Sequence, residues 1–109
     1  MKIIKYNKLI RDKIPQIIKH NNAIPKLVIL NQKRFTEELK KKLVEESKEL
    51  QEASGKKEVL NELSDVLEII QTVAGIEKIK WSEVEKKRKI KAKERGGFKK
   101  RVFLKEVKS

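Results

Sequence analysis

The stretch from Lys33 to Gly75, KRFTEELKKKLVEESKELQEASGKKEVLNELSDVLEIIQTVAG, decides the fold of this chain. Its first half predicts a helix over 33–53, because apolar residues recur on one face at spacings of three, four and seven. Ser54 and Gly55 interrupt the pattern, and the second half predicts another helix over 57–74. The break is so short that the two helices should form an antiparallel hairpin.

The flanking segments predict smaller elements. Pro15 suits the first turn of a short helix before His20, while Ser82 and Glu85 form a capping box that should start a third helix. That helix runs to about Arg95, where Gly96-Gly97 stops it. The segments 24–30 and 101–106 have the pattern of short strands, and they are candidates to pair. Together these features predict a single all-α domain over 1–109, with two short strands as its only extended pieces.

The formal net charge of +13 is unevenly distributed. Residues 1–34 carry nine Lys/Arg against one acid, residues 35–79 carry seven against eleven, and residues 80–109 carry thirteen against four. An acidic middle between basic flanks differs from a uniformly basic surface. It predicts a region that concentrates cations beside regions that attract phosphate.

Two classes of protein are disfavoured by the composition. The chain has no cysteine, which excludes disulfides and thiolate metal sites. Its N-terminal residues 1–13 contain no continuous apolar run, so we expect neither a signal peptide nor a membrane span. The sequence therefore predicts a cytoplasmic protein without a membrane partner.

Four carboxylates on the hairpin are the candidate metal ligands: Glu46, Glu49, Glu62 and Asp65. Glu46 and Glu62 interrupt apolar faces, where an unpaired carboxylate costs several kcal/mol. Residues three apart project to the same side of a helix, so each helix offers two carboxylates to one point. Oxygen ligands without histidine or cysteine suit Mg²⁺, with Mn²⁺ as the alternative ion. Either acidic pair alone would also fit an ordinary solvated helix face.

The same residues carry a family resemblance. The motifs EESKE at 45–49 and, after twelve residues, ELSD at 62–65 resemble the EExxE…ExxD signature of MazG-like nucleoside triphosphate pyrophosphohydrolases. The opening YNKLIRDKIP at 6–15 and the late ERGGF at 94–98 resemble a subgroup of short house-cleaning enzymes within that superfamily. The resemblance implies Mg²⁺ at the four carboxylates and hydrolysis of a nucleotide between its α- and β-phosphates. It also implies a homo-oligomer whose paired hairpins form a helical bundle.

Oligomerisation has separate support in the apolar pattern. Ile69 and Val73 form an apolar edge that faces away from Leu63 and Leu67, and one hairpin cannot cover both faces. We therefore expect a homodimer or a homotetramer, and the residues do not distinguish the two.

The candidate phosphate-binding residues lie in the two basic segments that flank the hairpin. On the third helix Arg88, Lys91 and Arg95 share a face, and cations near a metal can neutralise a triphosphate and its leaving pyrophosphate. Lys8 and Arg11 are further candidates in the N-terminal segment. The competing interpretation is that these long side chains extend over packed helices for solubility.

The general base is expected at the edge of the carboxylate cluster. Glu49 or Glu45 can reach a water activated by a divalent metal. Attack at either the α- or the β-phosphorus fits these residues, and no residue indicates the base of the nucleotide.

Two rival functions remain open from the residues. Phosphoribosyl-ATP hydrolysis in histidine synthesis is the alternative within the same superfamily. A nucleic-acid-binding protein is the alternative of another class, suggested by the sequence pI of about 10.0 and the basic segment 99–101. Few aromatic residues are present to stack on bases, which disfavours this second alternative.

Overall fold

The fold is built from four helices, as a computed structural model that describes residues 2–109 shows. They are α1 (Ile14–His20), α2 (Gln32–Glu52), α3 (Gly55–Ile76) and α4 (Trp81–Arg95). The predicted all-α class is confirmed. None of the helices within residues 2–109 combines the length and the apolar content that crossing a bilayer requires.

Local chemistry sets the bounds of the central hairpin. Asn31 caps α2, because its side-chain oxygen accepts the Arg34 N–H at 2.9 Å. Between the helices Gly55 adopts a left-handed φ of +82°, a conformation that glycine tolerates best. The Ser54 N–H then donates to Glu58 Oε2 at 3.1 Å, which satisfies one donor at the start of α3. The reversal needs only two residues, and α2 and α3 pack antiparallel along their length as expected.

The apolar stripe that predicted α2 lies against α3. Leu39 is 4% exposed, and on the facing helix Ile69 is 5% exposed and Ala74 is buried. The other stripe residues of α2 are half-buried: Phe35, Leu43, Leu50 and Ala53. Leu39, Ile69 and Ala74 are the only buried apolar residues among residues 2–109, so the interior of the chain is narrow.

The two apolar faces of α3 are separate, as the sequence predicts. Ile69, on the edge that faces away from Leu63 and Leu67, is buried, so this edge lies on the inner side of α3. The opposite apolar face is exposed and carries residues at spacings of three and four. It consists of Leu60, Leu63, Leu67 and Ile70, which we call the outer stripe. Because α3 is apolar on both sides, periodicity identified both faces without showing which one meets α2.

The expected strands at 24–30 and 101–106 do not form. Neither segment contains a strand, and most of their apolar side chains are exposed, including Ile29 at 94% and Phe103. An isolated pair of short strands is marginally stable in water, and no further strand is present in residues 2–109 to extend a sheet. Their β-branched and aromatic residues favour an extended backbone, but this preference alone does not make the two segments pair as strands.

The ends of α4 and α3 differ slightly from expectation. The capping box is absent: α4 begins at Trp81 with Lys80 at the N-cap position, and no side chain caps it. Glu85 pairs instead with a residue further along α4. Gly96, with φ of +83°, ends α4 after Arg95 as predicted. At the other junction α3 continues through Gly75 to Ile76.

The chain is elongated rather than compact. Its principal extents are 65 × 34 × 27 Å and its radius of gyration is 18.8 Å. A compact chain of this length has a radius of gyration of about 13 Å. Two helices explain much of the difference, because α1 and α4 contain no buried residue and only α2 and α3 pack extensively.

Candidate metal centre

Three of the four predicted ligands converge across the hairpin. Glu46, Glu49 and Glu62 each offer a carboxylate oxygen, and these oxygens lie within 4.8 Å of one another. Glu46 and Glu49 are three residues apart on α2, so they project to the same side. The antiparallel pairing places Glu62 of α3 opposite them. The cluster is therefore a direct product of the spacing on each helix and the short turn between the helices.

Burial distinguishes this cluster from an ordinary acidic face. The Glu46 side chain is only 14% exposed, and Glu62 is half-buried. Glu46 Oε2 and Glu62 Oε2 are both buried and have no hydrogen-bond partner. Leaving a buried charged oxygen unsatisfied costs more than the roughly 1–3 kcal/mol of a neutral group. Such atoms, close together in an all-oxygen ligand set, fit a divalent cation.

The pKa of Glu46 reflects its burial beside other carboxylates. Burial raises the pKa of Glu46, and the nearby carboxylates of Glu49 and Asp65 raise it further. Lys42 opposes this increase in the pKa. The folded chain therefore holds a proton on Glu46 more readily than an exposed glutamate does.

Asp65, the fourth predicted ligand, is engaged by a cation of the chain. Its Oδ1 accepts a hydrogen bond from Arg11 Nη2 at 2.8 Å, and its side chain is 31% exposed. Asp65 still lies close enough to the cluster for its charge to affect the pKa of Glu46. Asp65 thus borders the three converging carboxylates and is paired with Arg11.

Two polar neighbours of the cluster were absent from the predicted site. Lys42 Nζ lies 3.9 Å from Glu46 Oε1, one helical turn earlier on α2. Asn61 Nδ2 donates to Glu62 Oε1 at 3.4 Å. The i,i+4 spacing of Lys42 and Glu46 was visible in the sequence, whereas adjacent residues on a helix do not usually face each other. Lys42 therefore lies near Oε1 of Glu46, and Asn61 lies near Oε1 of Glu62. The Oε2 atom of each glutamate has no hydrogen-bond partner.

The predicted general bases differ in position. Glu49 belongs to the cluster and is exposed, so it is accessible to water as well as to the other carboxylates. Glu45 is exposed as well, but it is not part of the converging set. The geometry therefore favours Glu49 over Glu45 for work at the cluster.

The predicted phosphate-binding residues fall into two groups. Arg11 reaches the hairpin through Asp65, while Lys8 lies with its Nζ 5.8 Å from the centre of the Tyr6 ring. Arg88 is held within α4 by Glu85 at 2.9 Å, which lowers the pKa of Glu85. Lys91 borders the same open groove as Arg88, and Arg95 is exposed at the end of α4. Within residues 2–109, no ion pair joins α4 to the carboxylate cluster.

Comparison of the chain with protein-family models, curated proteins and solved structures finds no match. The resemblance to MazG-like enzymes therefore rests on the motifs themselves. The structure adds that the two acidic motifs, at 45–49 and 62–65, lie on facing helices of one hairpin.

Proposed function

We propose that this chain is a Mg²⁺-dependent nucleoside triphosphate pyrophosphohydrolase of the MazG-like type, which releases a nucleoside monophosphate and pyrophosphate. The observation that carries the proposal is the pair of buried, unpartnered oxygens on Glu46 and Glu62. They lie beside Glu49 in a cluster of the ligand type that Mg²⁺ and Mn²⁺ prefer. Non-canonical nucleotides in the cytoplasm are the proposed substrates.

Glu46, Glu49, Glu62 and Asp65 would hold the metal. A divalent ion there supplies positive charge to phosphate oxygens and lowers the pKa of a nearby water. Glu49 is exposed at the edge of the cluster, and we assign it the role of accepting the proton of the attacking water. Water adds to the α- or the β-phosphorus, and the bond from that phosphorus to the bridging oxygen breaks. The electrons of that bond leave with pyrophosphate after attack at the α-phosphorus and with the nucleoside monophosphate after attack at the β-phosphorus.

Phosphate charge is balanced by the basic flanks in this proposal. Arg11 is next to the cluster and has guanidinium donors beyond the one that Asp65 occupies. Arg88, Lys91 and Arg95 supply a second set of cations on α4, which packs extensively against no other helix among residues 2–109. Their placement at the cluster requires α4 to meet a hairpin other than its own.

A second copy of the chain is the proposed partner of both α4 and the outer stripe. The described chain has an accessible surface of 11027 Å². A compact monomer of 12.8 kDa would expose about 6300 Å². A stable interface removes about 800 Å² from each partner, so the excess suffices for more than one such contact. A homodimer or a homotetramer would bury it, and the acidic hairpin is electrostatically suited to a basic α4.

The activity is tested with a panel of normal and damaged nucleoside triphosphates, to which phosphoribosyl-ATP is added. Each is incubated with the protein and Mg²⁺, and monophosphate and pyrophosphate are quantified. The proposal expects the two products in equal amounts from at least one triphosphate. Cleavage of phosphoribosyl-ATP alone would assign the chain to histidine synthesis instead.

The rival of another class has one specific observation in its favour. The basic segment 99–101 and its apolar neighbours are exposed, as a nucleic-acid-binding arm would be. Binding to DNA or RNA is measured across a salt series beside the nucleotide assay. Tight binding that weakens steeply with salt, without hydrolysis of any nucleotide, would support the rival and oppose the enzyme.

A further inference from the structure

The ion pair between Arg11 and Asp65 differs from the others in the structure. It joins residues 54 positions apart, and the other three ion pairs among residues 2–109 each lie within one helix. The Arg11 carbonyl also accepts the Ile14 N–H at 3.1 Å, which ties the residue to the start of α1. The contact therefore connects the N-terminal segment with the acidic face of α3.

Arg11 uses only part of its binding capacity in this contact. One nitrogen, Nη2, donates to Asp65, although a guanidinium carries five N–H donors. The Arg11 side chain is 55% exposed, so the remaining donors are accessible. An exposed ion pair of this kind contributes about 0–1 kcal/mol and is readily exchanged for another partner.

Asp65 is the one predicted ligand outside the converging set, and its Oδ1 is paired with the guanidinium of Arg11 at 2.8 Å. We propose that Arg11 is an exchangeable counter-ion: it competes with the metal ion for Asp65, and metal binding frees its guanidinium to bind a phosphate of the nucleotide. This inference rests on the proposed metal site. It assigns Arg11 a role in coupling metal loading to phosphate capture.

The coupling has a defined direction. Removing Arg11 removes a competitor, so the metal binds Asp65 and its neighbours more tightly. In the wild-type chain the metal also increases the affinity for phosphate, both through its own charge and by freeing Arg11. By linkage, phosphate increases the affinity for the metal by the same factor. Without Arg11 that factor becomes smaller, because only the charge of the metal remains.

The experiment measures Mg²⁺ binding by isothermal titration calorimetry to the full-length wild type, Arg11→Gln, Arg11→Lys and Lys13→Gln. Lys13→Gln removes the same charge two residues away, at an exposed position. We expect Arg11→Gln to bind Mg²⁺ about two- to fivefold more tightly than wild type, the size of an exposed ion pair. Arg11→Lys, which keeps the charge, should fall between them, and Lys13→Gln should match wild type. Circular dichroism of each metal-free variant verifies that it is folded.

A second titration uses inorganic phosphate with and without Mg²⁺. The wild type should gain more phosphate affinity from Mg²⁺ than Arg11→Gln does. Unchanged or weaker Mg²⁺ binding in Arg11→Gln, or equal tightening in Lys13→Gln, overturns the inference while leaving the metal site intact. A wild type that binds no Mg²⁺ at all overturns the proposed function as well, so the two failures are distinguishable.

Discussion

Glu46 on α2 and Glu62 on α3 place carboxylate oxygens within 4.8 Å of each other across the hairpin, and each has one buried oxygen without a hydrogen-bond partner. A folded chain tolerates this arrangement when a proton or a cation reduces the charge. Burial and the neighbouring carboxylates raise the pKa of Glu46, which favours the proton, and the proposed metal ion is the alternative means of reducing the charge. Substitutions in the cluster, compared with matched substitutions at exposed positions, distinguish the effect of protonation from that of a bound cation.

The stability of the metal-free protein should depend on Glu46 and on pH. Because its folded pKa is raised, its contribution to stability is fully present below the ordinary glutamate pKa and is lost as pH rises through the raised value. Glu46→Gln removes the charge, and we expect a free energy of unfolding about 1 kcal/mol above wild type at pH 7. Urea unfolding across pH 4 to 8, without metal, measures this difference.

The matched control for that series is Glu52→Gln, an exposed residue on the same helix. It should follow the wild-type pH profile. A Glu46→Gln protein that is less stable than wild type throughout, or a control that shifts equally, would contradict the assigned burial cost.

Mg²⁺ should stabilise the folded chain through the carboxylate cluster. Binding to the native state alone adds about 2.7 kcal/mol when the free ion is at 100 times its dissociation constant. We expect the Tm of the wild type to rise with Mg²⁺ and that of Glu62→Gln to stay nearly constant. Glu68→Gln, exposed on the same helix, should respond like wild type. Equal responses of all three proteins would place the ion elsewhere.

Self-association should depend on the outer stripe. Leu63 is half exposed at the middle of that stripe, and a charge there would have to be desolvated at an interface. Leu63→Glu should therefore shift the mass measured by light scattering towards the monomer, at least at micromolar concentration. Ile24→Glu, at a highly exposed position outside the helices, should keep the wild-type mass. A wild type that is monomeric at high concentration would refute the proposed assembly.

The cations of α4 should act on phosphate rather than on the metal. Lys91→Gln and Arg95→Gln are expected to raise KM for the nucleotide about five- to tenfold and to leave the Mg²⁺-dependent rise in Tm unchanged. Lys86→Gln, exposed on the same helix, is the control with the same loss of charge. Unchanged kinetics in both site variants would assign these residues to solubility, as the competing interpretation of the sequence holds.

Whether α4 acts on another copy is tested by mixing. Glu46→Gln lacks the metal cluster and Arg95→Glu lacks a phosphate cation, so each alone should be weakly active. Subunit exchange between them should restore part of the activity, because some assemblies then contain one intact site. Mixtures as inactive as their components, despite verified exchange, would contradict action between subunits.

The sequence pattern was sufficient to predict the helices and most of the residues of the carboxylate cluster. Periodicity located α2 and α3, local start and stop signals located α4, and the i,i+3 spacing of Glu46 and Glu49 indicated their shared direction. The pattern did not predict features that depend on packing between distant parts of the chain. Both faces of α3 are apolar, so the pattern did not show which one meets α2, and the strands at 24–30 and 101–106 lacked a sheet to join.

Contacts that are distant in sequence were beyond the reach of pattern. The Arg11–Asp65 pair spans 54 positions, and neither residue has a local feature that identifies the other. The same holds for α4, whose cations share a face but which packs extensively against no other helix among residues 2–109. Local spacing specifies helices and clusters within a hairpin, whereas the partners of the flanks follow from tertiary or quaternary packing.

The most direct test of the central claim compares hydrolysis of a cleaved triphosphate by wild type, Glu46→Gln, Glu62→Gln and Glu52→Gln in the presence of Mg²⁺. If the buried carboxylates hold the catalytic metal, both cluster variants lose about 100-fold or more of the rate of pyrophosphate release, while Glu52→Gln keeps the wild-type rate. Wild-type rates in Glu46→Gln and Glu62→Gln, in folded protein, would contradict the account.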